Sequence, residues 1–406
     1  MNLNFDFTSL IDRHGQDSTA VDGIGRKVWG NEPDAPKEGF DSIPMWVADM
    51  NFATCPSIPE AIIERAKHPL YGYFFPSDAY YDAIIDWQTR RNGFQDLKRQ
   101  YIGYENGVHG FVTSAVQTLS APGDRILLHS PTYVGFMADV EGQGRTSVYS
   151  PLKKDENGVY RMDYEDMDKK LKANHIHLAI LCSPHNPAGR VGERWELEKA
   201  MEVFEANECI VISDEIWADI TYSGHKHIPT LLVNDWAKDH TVAVYAPSKT
   251  FNLAGLTGSY HIIYNKYLAD RVSAHGTNTN YNHMNVLSMH ALVGAYSEVG
   301  ERWVGELLQV LEGNCRYACD YINKNFDGVK VTMPEGTYMI FLDITQFCKR
   351  TGKTLNEVIH AGWDVGVGWQ DGRAFNGPCH IRMNLASPFS RIQEALDRLD
   401  KYVFNV

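Results

Sequence analysis

Leu178-Ala179-Ile180-Leu181-Cys182-Ser183-Pro184-His185-Asn186-Pro187 is the stretch whose reading decides the fold. Five consecutive apolar residues stopped by a Pro- and Asn-containing turn read as a short strand rather than a helix. Because every position is apolar, both faces of that strand must be covered. Similar runs lie at 125–129 before it and at 209–213, 241–245 and 260–264 after it. Segments 57–67, 111–119 and 193–207 carry helical periodicity. Doubly buried strands joined by helices predict an α/β domain, with a mostly parallel central sheet sandwiched by helices. From about Glu298 the pattern changes. A long helix at 301–326, strands near 329–332 and 338–343 and a closing helix at 391–402 predict a smaller α+β domain. Residues 1–50, punctuated by Gly23, Gly25, Gly30, Pro33 and Pro36, read as an N-terminal arm belonging to the small domain. The expected division is then 1–50, a large domain at 51–290 and a small one at 291–406, with the ligand site in the cleft between domains.

Composition narrows the function. Lys plus Arg is 38 against 51 Asp plus Glu, a net charge of −13 with no basic run. Nucleic acid and anionic membrane surfaces are therefore poor partners, since phosphate neutralisation needs clustered cations. No window reaches the length of apolar sequence a membrane span requires. Residues 1–9 have neither a basic start nor an apolar core, so no secretory signal is expected. Seven scattered cysteines without a Cys-x-x-Cys pair fit a reduced, cytoplasmic protein. Cys315 and Cys319, one helical turn apart, read as buried helix positions. The pairs His175/His177 and His225/His227 lack further ligands at metal spacing, so no metal site is expected.

Open α/β sheets bind ligands beyond the carboxyl ends of their strands. Three such ends carry Asn186, Asp214 and Lys249. Singly these are a turn residue, a helix cap and a surface lysine. Jointly they suit pyridoxal phosphate: a Lys amine for the aldehyde, an Asp for the pyridine nitrogen and an Asn for the phenolic oxygen. Gly107-Val108-His109-Gly110 opens a helix and offers backbone amides to the phosphate. Tyr133, after the 125–129 strand, is placed to stack on the ring. Arg382, inside an apolar strand, matches a substrate carboxylate, with a structural ion pair as the alternative.

Ser183-Pro184-His185-Asn186-Pro187-Ala188-Gly189, Ser213-Asp214-Glu215, Ser248-Lys249 and Arg382-Met383-Asn384 resemble, in order, the motifs of fold type I pyridoxal-phosphate enzymes, the aspartate aminotransferase superfamily. Pro44-Met45-Trp46-Val47-Ala48-Asp49-Met50, Tyr71-Gly72-Tyr73, Ala246-Pro247-Ser248-Lys249-Thr250-Phe251-Asn252 and Glu335-Gly336-Thr337-Tyr338 resemble its MalY/PatB subgroup of cystathionine β-lyase-like C–S lyases. The resemblance implies an aspartate aminotransferase-like fold and a pyridoxal-phosphate-dependent β-lyase that releases thiol, pyruvate and ammonia from cystathionine or related cysteine S-conjugates. An aminotransferase, or a cofactor-binding regulatory protein acting through a partner, would use the same residues.

In roles, the resemblance implies Lys249 as the Schiff-base lysine and proton carrier, Asp214 at the pyridinium, Asn186 at the ring oxygen and Tyr133 stacking and catalytic. Val108, His109 and Ser248 would serve the phosphate, and Trp217 would line the cofactor. Tyr73 would reach the cofactor of a second subunit in a homodimer, and Arg382, Trp46 and Tyr338 would bind the small amino-acid substrate, with Trp369 nearby. The chain departs from the superfamily pattern at Trp217, where a Tyr is common, at Ala246 and Thr257, where Ser and Arg are common, and at Asn51 and His109.

Overall fold

A computed structural model describes residues 3–28 and 30–405. Its contacts divide the chain into a larger unit, 54–185 with 190–305, and a smaller one, 1–53 with 186–189 and 306–406.

The larger unit is built on seven strands: β1 (Ile102–Asn106), β2 (Arg125–Ser130), β3 (Thr146–Pro151), β4 (Leu178–Cys182), β5 (Ile210–Asp214), β6 (Thr241–Tyr245) and β7 (Gly258–Ile262). Their spatial order is β1-β7-β6-β5-β4-β2-β3. The pairs from β6 to β3 are all parallel, and β7 runs antiparallel to both its neighbours. The covering of both faces is visible residue by residue. Ile126, Leu128, Ile180, Ile212 and Val244 pack on one face with Phe111, Val112 and Ala115 of helix α1 (Gly107–Leu119). Leu127, Ala179, Leu181 and Val211 alternate with them and pack on the other face. There they meet Leu197, Ala200, Met201 and Phe204, presented by a later helix, Arg194–Ala206. Period-two alternation with apolar groups on both sides is why these runs look continuously hydrophobic.

Two expectations need correction. The run at 260–264 starts earlier, at Gly258, and ends at Ile262. The segment 329–332 forms only an isolated bridge, Lys330 to Asp343. Strands β1 and β3 carry no continuous apolar run in the sequence. Edge strand β3 is mostly half exposed, and β1 hides an ion pair: buried Glu105 meets His261 of β7 at 2.6 Å.

In the smaller unit, β8 (Met339–Asp343), β9 (Gln370–Asp371) and β10 (His380–Asn384) form an antiparallel sheet with β10 in the middle. The described residues among the first fifty belong here. Asn384 donates its side-chain amide to the carbonyls of Val47 (2.7 Å) and Asp49 (2.6 Å). Arg13 pairs with Asp49 at 2.5 Å, and Ile43–Pro44 pairs with Val367–Gly368. Helix Glu298–Asn325 buries Cys315 and Cys319.

Candidate active site

Strands β5 and β6 are parallel neighbours with Asp214 opposite Val244, so their carboxyl ends leave the sheet at one edge. Asp214 is the last residue of β5, and Lys249 follows β6 by four residues. What orients this edge is the residue between Asp214 and Ile216. Glu215 accepts from the Ser213 hydroxyl and the Thr230 amide on Oε1, both at 2.9 Å. Its Oε2 meets the Tyr245 hydroxyl at 2.6 Å and His227 Nε2 at 2.7 Å. Four partners on one buried carboxylate pin the turn and leave the Asp214 side chain as the neighbouring, separately directed group.

Asp214 is 4% exposed and accepts from the Ile216 amide at 3.0 Å. Burial pushes its pKa from 3.8 up to about 6. The Ile216 amide and the positive charges of His109 and Lys249 oppose that rise but do not overcome it. A buried carboxyl held in this way gains most from a cationic N–H partner. Lys249 Nζ lies 5.7 Å from the centre of the Trp217 ring, a cation–π distance, and Trp217 is buried. Ser248 is buried beside it.

The turn from β1 into α1 passes through Gly107 at φ +75°, a left-handed conformation that glycine adopts without strain. Asn106, at the helix N-cap, directs its side-chain amide to the Tyr281 carbonyl rather than to the first turn. Val108 is buried here, and His109 projects with 51% of its side chain exposed. His109 Nδ1 meets Asp139 Oδ2 at 2.9 Å and Nε2 meets the Tyr133 hydroxyl at 2.9 Å. Asp139 lies on helix α2 (Val134–Glu141), and its other oxygen accepts from the Thr113 hydroxyl at 3.1 Å. Partial burial favours the neutral ring, but the hydrogen bond to Asp139 and the Tyr133 oxygen outweigh it and push the His109 pKa up to about 10.

In the smaller unit Arg382 lies mid-strand on β10, opposite Phe341 and Gln370, and is buried. Its Nη2 donates to the Trp46 carbonyl (2.7 Å) and to Gln370 Oε1 (2.5 Å), and Nη1 to Asn186 Oδ1 (3.1 Å). The guanidinium lies over Phe375 at 4.4 Å. These contacts fix the plane of the fork. Trp46 offers Arg382 its backbone; its indole donates to the Ala20 carbonyl at 3.0 Å. The Tyr338 hydroxyl donates to the Ala48 carbonyl at 3.0 Å. Trp369 is a correction: its fully buried indole packs against Gly362 and donates to the Ile359 carbonyl at 3.0 Å, so it serves the core.

The structure thus gathers Asp214, Lys249, Trp217, Ser248, His109 and Tyr133 in the larger unit, and Asn186, Arg382, Trp46 and Tyr338 in the smaller. Tyr73 is fully exposed. The larger set fits pyridoxal phosphate: a buried carboxyl whose pKa stays raised despite the nearby His109 and Lys249, a lysine amine, a half-buried aromatic ring and a helix start. Glu215, Asp139, Thr113 and Gln370 escaped the sequence reading, because each acts through a neighbour distant in the chain. The one local signal was Gly135, where an added Cβ would lie 1.8 Å from His109 Cε1.

The model of the family "Aminotransferase class I and II" matches residues 43–399. Cystathionine beta-lyase PatB of Bacillus subtilis is 33% identical over 362 residues, covering 88% of this chain and 92% of its own. Protein MalY of Escherichia coli is 30% identical, with 97% of each chain covered. The crystal structure of a pyridoxal-phosphate-bound C–S lyase from Staphylococcus hominis superposes with a TM-score of 0.87 at 29% identity, covering 99% of this chain and 98% of the other. The chain belongs to the class I and II aminotransferase family, and within it to the MalY/PatB-like subgroup.

Proposed function

We propose that this family member is a pyridoxal-phosphate-dependent carbon–sulfur β-lyase that converts cystathionine or related cysteine S-conjugates to a thiol, pyruvate and ammonia. The observation that carries the reading is the paired exit of Asp214 and Lys249 from adjacent parallel strands at one sheet edge. The names of the relatives PatB and the Staphylococcus hominis C–S lyase support the reaction class.

In this reading Lys249 would hold the aldehyde of pyridoxal phosphate, which when bound would supply the electron sink that makes the substrate α-proton acidic. Lys249 would take that proton, and Asp214 would hold the proton of the ring nitrogen. By the family resemblance Asn186 would donate to the ring oxygen, Tyr133 would stack and Trp217 would line the ring. The amides of Val108 and His109, with Ser248, would hold the phosphate in place of the cation that Thr257 does not provide. Arg382 grips the substrate carboxylate with its oriented fork, while Trp46 and Tyr338 shape the substrate side.

Tyr73 points to a homodimer. It is fully exposed beside exposed Tyr71 and Phe75, along a groove of about 460 Å³ that Tyr104 and His283 also line. Aromatic groups so displayed suit a subunit interface, where Tyr73 would complete the second copy's site. No helix among the described residues is long and apolar enough to cross a membrane.

The test is incubation of the purified protein with cystathionine or a cysteine S-conjugate. Pyruvate and thiol in equal amounts are expected. Amino transfer to a keto acid without either product would replace the lyase reading with an aminotransferase.

A further inference from the structure

Among the groups gathered above, the His109 side chain sits in an arrangement whose geometry is more specific than phosphate binding by a backbone amide requires. The His109 side chain spans Asp139 on one nitrogen and the Tyr133 hydroxyl on the other, both at 2.9 Å. Asp139 is held in turn by Thr113. The two rings lie 5.2 Å apart with their planes at 46°, and Tyr133 is braced edge-on by Phe136 at 5.5 Å. Space for the imidazole exists because residue 135 is glycine: a Cβ there would overlap His109 Cε1 at 1.8 Å. An amide donor needs none of this.

We propose that His109, fixed by Asp139, is a positioning residue that orients Tyr133 and supports its hydroxyl as the proton donor to the departing sulfur. This rests on the β-lyase reading. In the step, the carbon–sulfur bond breaks with its electron pair on sulfur. The Tyr133 O–H bond breaks, its proton forms the S–H bond of the thiol, and the phenolate left behind faces the His109 ring. The proton that Lys249 took from the substrate then passes through water to the phenolate and restores the phenol, so no proton is gained or lost overall. With the ring protonated, both nitrogens donate, Nδ1 to Asp139 and Nε2 to the Tyr133 oxygen. The Tyr133 proton is then directed away from His109, and the phenolate gains a charge-assisted hydrogen bond. The charged groups that bear on His109 are Asp139 and the Tyr133 oxygen, while Asp214, itself beside Lys249, feels the His109 charge.

The test follows ionisation of Tyr133 directly. In full-length protein labelled with carbon-13 at the tyrosine phenol carbon, with and without pyridoxal phosphate, the Tyr133 signal is the one lost in Tyr133→Phe. His109→Gln keeps a hydrogen-bonding side chain without the charge, and Asp139→Asn weakens the charge without touching the ring. Both should raise the Tyr133 titration midpoint by about one unit or more, a tenfold loss of acidity. Both should also move the alkaline limb of kcat for thiol release by the same amount, with KM changed less than twofold. Gly135→Ala should reproduce the His109→Gln titration. An unmoved Tyr133 midpoint overturns the proposal, as does a fall in kcat that leaves the pH limb in place. If the unaltered protein yields no pyruvate, the lyase reading and the proton-donor step both fall; the midpoint shift then decides only whether His109 governs Tyr133 ionisation.

Discussion

At the end of β5 a carboxyl is buried with a backbone amide on it; at the start of α1 an imidazole stands half exposed between a carboxylate and a phenol. Burial prevails in the first, and the Asp214 pKa rises to about 6. Pairing prevails in the second, and the His109 pKa rises to about 10. The proton is held more tightly at both, for opposite reasons. Desolvation penalises a charge that has no counter-ion, while a neighbouring anion at hydrogen-bond distance repays the penalty. A cofactor cation would move Asp214 from the first situation to the second.

The largest effect expected is on turnover. Lys249→Ala should lower kcat by about 10² to 10⁴ or more, the range of a positioned proton-transfer group, with the far-ultraviolet circular dichroism unchanged. Asp214→Asn should weaken pyridoxal-phosphate retention and turnover together, since the amide cannot meet a cationic N–H as a carboxylate does. Retained activity in Asp214→Asn would break the comparison.

Next in size is stability without cofactor. The folded protein holds the Asp214 proton between pH 3.8 and about 6. Its contribution is therefore fully present below 3.8 and lost as pH rises through about 6. The difference amounts to about 3 kcal/mol. Denaturant unfolding of the cofactor-free protein should show that slope, and Asp214→Asn should remove it. His129 gives a contrast of opposite sign. It is buried on β2, and burial lowers its pKa from 6.5 to about 4. Its contribution is present above pH 6.5 and lost as pH falls through about 4, so His129→Leu should flatten the acid limb. The neighbouring His185, lowered to about 3 chiefly by burial and then by the charges of His129 and Arg190, should behave likewise.

Smaller effects sharpen the comparison. Arg382→Lys keeps the charge and loses the fork, so KM for substrate should rise about tenfold, the cost of one good hydrogen bond, with kcat less affected. His109→Gln removes a positive charge that now favours the Asp214 carboxylate. The Asp214 midpoint in cofactor-free protein should then move up by less than about one unit, and a downward shift would contradict the electrostatic account.

Much of this site was legible in the chain. Asn186, Asp214 and Lys249 stand out because each follows a strand so apolar that its end is unmistakable. Strand β1 was hidden by Glu105, a buried carboxylate met by His261 from another strand and by Tyr281. The Trp369 indole reads as a pocket residue until Gly362 and Ile359 are seen to enclose it. Asp139 gives no sign of its role, since it lies thirty residues from His109 and nothing in spacing links them.

By itself, then, the sequence determined the doubly covered sheet, the order of the residues at its strand ends and the family they resemble. Those features depend on local periodicity and on where apolar runs stop. Tertiary structure alone decided which side chains share a proton, which aromatic rings are core and what holds Arg382 and Asp214 in place. Desolvation and hydrogen bonding depend on distances across space, and residues far apart in the chain set them.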